Sequence, residues 1–186
     1  TKSRTERSEM FTNNSSIIMS GCYSAGVLLY SYNTNGELIF LLGKDYRQRY
    51  SDFGGRCDEK DATQLDTASR EFYEETCGIV MDHCTIRHKL KMSPIIHSLS
   101  YLGNPYYMYM VHIPYSTEYV KMFQSIRQFI HSKKVEKRFK EKTSLEWFTS
   151  SNILQQKDDI RQVFYKTFTK NIDIIHQVTA RKLFKH

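Results

Sequence analysis

Arg70-Glu71-Phe72-Tyr73-Glu74-Glu75 is the stretch on which the reading of this chain turns. An α-helix turns about 100° per residue, so positions i, i+3 and i+4 share one face. Glu71, Glu74 and Glu75 therefore project from a common stripe. Like charges at i,i+4 destabilise a helix, so three carboxylates together make sense where a cation binds. Oxygen-only ligands select hard ions such as Mg²⁺ or Mn²⁺. An acidic stripe alone is more often a solvated helix face, so its surroundings have to decide.

Outward from the stripe, the chain offers helix signals on both sides. Asp61 and Thr63 are capping residues for a helix from about Ala62 to Cys77, and Ala68, Phe72 and the aliphatic part of Thr76 face a core. Gly78 is expected to stop the helix, and Ile79-Val80 to open a strand. Upstream, Cys22–Tyr32 alternates like a strand, Asn33-Thr34-Asn35-Gly36 is a hairpin turn, and Glu37–Gly43 returns. Lys44–Asp52 reads as a polar, basic loop leading into Phe53-Gly54-Gly55.

Downstream, Ile79–Lys91 reads as strand or irregular structure, and His97–Leu102 and Tyr106–Ile113 as strands. A helix is expected from Ser116 to Ser132, with Val120, Phe123, Ile126, Phe129 and Ile130 on one apolar face. The charge run Lys133–Lys142 precedes a short strand, Leu145–Phe148. A last helical region, opening at Ser150 or Ser151 and spanning Asp158–Phe184 with a break, completes the order. Thr1–Ser20 is polar and is expected to be a flexible tail, with one domain over residues 21–186.

Gly54 to Val80 resembles the Nudix box: a glycine, an acid, then Arg-Glu-hydrophobic-any-Glu-Glu, a closing glycine and an aliphatic residue. Two departures lie at the helix ends. Asp61 stands where the box has glutamate, with one extra residue before Arg70, and Cys77 is inserted before Gly78. The resemblance implies an α/β fold, a Nudix-like α/β/α sandwich with a mixed β-sheet between helices. It also implies a metal-dependent pyrophosphohydrolase acting on a nucleoside diphosphate derivative, with Mg²⁺ or Mn²⁺ as cofactor. Matched residue by residue, Glu71, Glu74 and Glu75 are the implied metal ligands, with the backbone carbonyl of Gly54. Arg70 is expected to orient a glutamate. The general base lies outside the box, and Glu141, Glu136 and Glu118 are its candidates. Arg47, Arg49 and Arg56 are candidates for phosphate contacts, and Phe53, with Tyr46 and Tyr50, for stacking a base.

Composition narrows the setting. The 186 residues carry a formal net charge of +7, which favours polyanionic partners such as nucleotides, RNA or inositol polyphosphates. Capped RNA and a diphosphoinositol polyphosphate are therefore alternative substrates, and a non-catalytic Nudix-fold RNA-binding module is the alternative to an enzyme. Retention of all three box glutamates favours the enzyme. No apolar run approaches the ~20 residues of a membrane span, and no membrane partner is expected. Four cysteines without CxxC pairing fit reduced thiols and a cytoplasmic location. A homodimer is compatible with the resemblance, although no interface is legible.

Overall fold

A computed structural model describes residues 23–100 and 103–183, with side chains to residue 180. The expected N-terminal tail, Cys22, Leu102 and Phe184 lie outside the described residues. The chain runs β1 (Ser24–Tyr32), β2 (Leu38–Asp45), β3 (Tyr50–Ser51), β4 (Phe53–Arg56), α1 (Gln64–Thr76), α2 (His83–Leu90), β5 (Ile95–Leu99) and β6 (Pro105–His112). It continues with α3 (Glu118–His131), a 3₁₀ turn (Lys137–Lys140), β7 (Lys142–Thr149), α4 (Ser150–Gln155), a second 3₁₀ turn (Lys157–Asp159), α5 (Gln162–Lys170) and α6 (Ile172–Leu183).

The described strands form one mixed sheet, in which β1 and β6 run parallel and the other strand pairs antiparallel. Successive strand residues point to opposite faces, and β1 is apolar on both. Leu28 and Tyr30 enter a core with Phe164, Phe168 and Ile175 of α5 and α6. Ala25, Val27 and Leu29 enter a second core with Phe72, Ile86 and Phe123 of α1, α2 and α3. Helices thus cover both faces of the sheet, giving the α/β/α sandwich.

The sheet also makes the opening in which the site sits. β1 pairs with β2 only over Leu29–Tyr32, and its first half, Ser24–Val27, pairs with β4 instead. β2 likewise turns to β3 at Gly43–Lys44. The two central strands therefore part company, and the Ser51–Gly55 segment fills the wedge between them. At Gly26↔Gly54 the backbones are so close that a Cβ on Gly54 would stand 2.5 Å from the Gly26 Cα.

Several local expectations are corrected. The loop expected over Lys44–Asp52 is a tight turn, because Asp45 accepts the N–H groups of Arg47 and Arg49 on its side chain and lets β3 begin at Tyr50. Ile79–Lys91 contains a helix: Asp82 caps the N–H groups of Cys84 and Thr85, and Ile86 and Leu90, one turn apart, are buried. Ile79-Val80 opens no strand. The box helix ends at Thr76, and Cys77 itself takes the left-handed conformation at φ 53°. Phe129, expected on the inner face of α3, is 62% exposed, because the face through Phe123 and Ile130 is the one that meets the sheet. β7 starts at Lys142 rather than Leu145, and the last helical region is three helices rather than one broken one.

Candidate active site

Helix α1 delivers the box glutamates. Thr63 caps its start by accepting the Asp66 N–H at 3.2 Å. Phe72 packs edge-on against Phe53 at 5.8 Å between ring centroids, which fixes the rotation of the helix against β4. Glu71, Glu74 and Glu75 then share a face but not a partner. Glu75 accepts the Gly54 N–H on Oε2 at 2.8 Å, and its Oε1 lies 3.5 Å from Lys142 Nζ. Glu74 is held between two guanidinium groups, Arg138 at 3.0 Å on Oε1 and Arg70 at 3.3 Å on Oε2. Glu71 pairs with Arg70 at 2.8 Å and lies over Gly55, where a Cβ would approach its Oε1 to 2.5 Å. Only glycine leaves that space open.

Arg70 organises this group. Besides Glu71 and Glu74 it binds Asp61 at 2.7 Å and donates to the backbone carbonyl of Arg56 at 3.1 Å. Burial alone would raise the Asp61 carboxyl, but hydrogen bonds from Arg70, the Asp58 N–H and Thr67 hold it below its ordinary range.

Glu75, Glu71 and Asp52 are shifted upward. Burial pushes Glu75 up to about 8 despite Lys142, and the charges of Glu71, Asp52 and Glu141 push the same way. Glu71 is raised chiefly by burial, against the opposing charge of Arg70. Asp52, buried in the wedge, is raised by burial even though the Tyr106 hydroxyl donates to it and Lys142 and Arg161 oppose the shift. The site is thus a cluster of carboxylates with too little positive charge, the condition in which a bound cation is favourable. Among the described residues no group of three or more His, Cys, Asp or Glu side chains is placed to hold a metal ion by itself. The donor set suits Mg²⁺, which typically keeps several waters and takes one or two carboxylates plus substrate phosphates.

Of the candidates for a base, Glu141 is the one brought to this cluster, close enough for its charge to raise both Glu71 and Glu75. Glu136 pairs with Arg138 and Glu118 with Lys121, both at the surface. Gly54 meets the site through its N–H, which Glu75 accepts. Phe53 is fully buried between the sheet and α1, so it is not available to stack a base, and Tyr50 is buried against Phe148.

Two cavities flank the wedge. One, of about 370 Å³, is lined by Asp52, Gly55, Arg56, Asn104, Tyr106 and Phe164. The other, of about 750 Å³, is lined by Glu75, Glu141 and Lys142 together with Arg47, Arg49 and further cations. Arg161 and Val163 border both. Arg47 and Arg49 therefore face one cavity and Arg56 the other.

Lys142, Asp52, Tyr106, Arg138 and Arg161 were not singled out for the site from sequence. Lys142 is 2% exposed and donates to Ser51 Oγ at 2.8 Å and to the Asp52 carbonyl at 3.1 Å. In the sequence it is the last lysine of a charge run, with nothing local to separate it from Lys140. A single acid directly before Phe53-Gly54-Gly55 was the one available signal for Asp52.

No protein-family model matches the sequence. A stretch is 38% identical over 72 residues to the uncharacterized protein L534 of Acanthamoeba polyphaga mimivirus, covering 36% of this chain. The chain spans 23% of the length of that relative. Among solved structures, the C. elegans Ap4A hydrolase in a binary complex superposes with a TM-score of 0.51 at 12% identity, over 83% of this chain and 98% of that one. The NUDIX domain of Shewanella oneidensis NrtR, complexed with ADP ribose, gives 0.49 at 15% identity over 86% of each chain. The mixed sheet, its two helical layers and the box helix against β4 together make this chain a Nudix fold.

Proposed function

We propose that this chain is a metal-dependent pyrophosphohydrolase that cleaves the diphosphate linkage of a nucleoside diphosphate derivative, with residues 21–186 as its one catalytic unit. The observation that carries this reading is the placement of Glu71 and Glu75 at the Gly54-Gly55 backbone, with Glu141 lining the same cation-walled cavity as Glu75. Glu71 and Glu75 would hold the ion, Mg²⁺ or Mn²⁺. When bound, the ion supplies the positive charge that lets a nucleophile approach a diphosphate.

The residues of the chain do the rest. Arg70 and Arg138 hold Glu74, and Arg70 also holds Glu71, so the acidic face of α1 keeps one geometry. Arg47 and Arg49 meet phosphate oxygens in the larger cavity, and Arg56 does so from the smaller one. In the reaction a water oxygen bonds to one phosphorus and the bridging P–O bond breaks. The electron pair of that bond leaves with the second phosphate, and the proton of the water passes to the Glu141 carboxylate.

The test is incubation with Mg²⁺ or Mn²⁺ and a panel: ADP-ribose, NADH, dinucleoside polyphosphates, nucleoside triphosphates, a diphosphoinositol polyphosphate and capped RNA. Turnover of one class is expected, lost in chelator and in Glu75→Gln. Unchanged turnover in Glu75→Gln refutes the site. No turnover, with RNA bound in chelator, points instead to a binding module.

A further inference from the structure

Five cations line the larger cavity without a carboxylate partner. Arg47 and Arg49 come from the β2–β3 turn, Lys137 and Lys140 from the 3₁₀ turn before β7, and Arg161 from the residue before α5. Among the described residues none of the five forms an ion pair. Asp45, the acid on the same turn as the arginines, has one carboxylate oxygen engaged by the N–H groups of Arg47 and Arg49, at 2.8 and 3.1 Å. Lys142, a sixth cation on this wall, is already committed to Glu75, Ser51 and Asp52.

Three segments far apart in sequence thus bring like charges to one wall, which is unfavourable unless an anion bridges them. A diphosphate at Glu75 and Glu141, with an ion held there and Arg47 and Arg49 on its oxygens, would still leave Lys137, Lys140 and Arg161 without an anion. A phosphate chain that continues past the scissile linkage reaches them. The volume of about 750 Å³ is that of a ligand site rather than a surface dimple.

We propose that this cavity is a receptor for an oligophosphate chain, so that the preferred substrate carries at least three phosphates in series. The proposal rests on the pyrophosphohydrolase reading for which linkage is cut, but not for the binding itself. A free dinucleoside polyphosphate and the 5′ end of a capped RNA share this chemistry.

Calorimetry on the full chain in chelator, with inorganic pyrophosphate and inorganic tripolyphosphate, tests the receptor. Tripolyphosphate is expected to bind about tenfold more tightly, the equivalent of one further charge-assisted contact. The advantage should shrink as salt rises. The double substitution Lys137→Gln/Lys140→Gln should bring tripolyphosphate down towards pyrophosphate, and Arg47→Gln, on a different segment, should do the same in part. Equal affinity for the two anions, or an advantage that survives both variants, overturns the proposal.

With Mg²⁺ present, kcat/KM is then compared for ADP-ribose, a dinucleoside triphosphate and capped RNA. A higher value for either three-phosphate compound upholds the proposal and identifies the source. A preference for ADP-ribose overturns it. If nothing is turned over but the tripolyphosphate preference stands, the hydrolase reading fails and the receptor survives. ADP-ribose turnover without any chain-length preference gives the reverse.

Discussion

Arg70 and Arg138 differ from Arg47 and Arg49 in what they already hold. The first pair is tied to Asp61, Glu71, Glu74 and Glu136 by contacts of 2.7 to 3.3 Å. The second pair forms no ion pair among the described residues, and Arg47 donates from Nε to the Tyr46 hydroxyl at 3.1 Å while its guanidinium leans over that exposed ring, 5.5 Å from the centroid. The sequence marks Arg70 to orient a glutamate and Arg47 and Arg49 as candidates for phosphate contacts, but leaves Arg138 as one more cation of the Lys133–Lys142 charge run. A guanidinium between carboxylates fixes their geometry, whereas one that borders a cavity without forming an ion pair remains free for a ligand. The difference separates residues that shape the site from residues that fill it.

The largest effect should come from Glu75, the carboxylate next to the first group on α1, which accepts the Gly54 N–H and lies beside Lys142. Glu75→Gln is expected to reduce kcat for the preferred anhydride by about 10²- to 10⁴-fold, read by single-substrate kinetics. Thermal unfolding of the same variant separates lost chemistry from lost structure.

Arg70→Ala comes next and breaks the structural side of the contrast. It leaves Asp61, Glu71 and Glu74 without their shared cation. We expect a stability loss of about 2 kcal/mol, set towards the low end for a broken ion pair because solvent reaches the guanidinium. Urea denaturation measures it, and a loss no larger than for Arg47→Ala would abolish the distinction. Arg138→Ala should cost less than Arg70→Ala, because its side chain is 47% exposed.

A pH series sharpens the role of Arg70. The Asp61 carboxyl is held below its usual value in the fold, so its contribution to stability is present above the unfolded value of 3.8. That contribution is lost as pH falls through the lower folded value. Asp61→Asn should therefore show a shallower loss of stability on the acid side than the parent chain, by circular dichroism. A limb of the same steepness would mean that the Arg70–Asp61 contact is not maintained in solution. The smallest effect belongs to the free group: Arg47→Ala should change stability by no more than about 0.5 kcal/mol, while weakening tripolyphosphate binding.

Much of the frame was legible beforehand. The alternation in β1, the Asn35-Gly36 turn and the apolar face of α1 are local patterns, and local patterns are carried by neighbouring residues. α2 was missed because Asp82 sits as a cap behind an apolar pair that resembles a strand start. Phe129 was misplaced because a helix stripe wide enough to include it is wider than the contact the sheet provides. Phe53 was a candidate for stacking a base, whereas its pairing with Val27 in β4 turns the ring into the core under α1.

By itself the sequence determined the α/β pattern, the acidic stripe of α1 and the glycines that admit it, because each depends on spacings of a few residues. Tertiary structure alone decided which charges are free. Lys142 reaches Ser51 across 91 positions, and Arg138 reaches Glu74 across 64. Tyr106 meets Asp52 only because β6 lies beside β1, next to the wedge. Whether a lysine or arginine is bound or available depends on which distant carboxylates the sheet brings within hydrogen-bonding distance, and no short-range pattern records that.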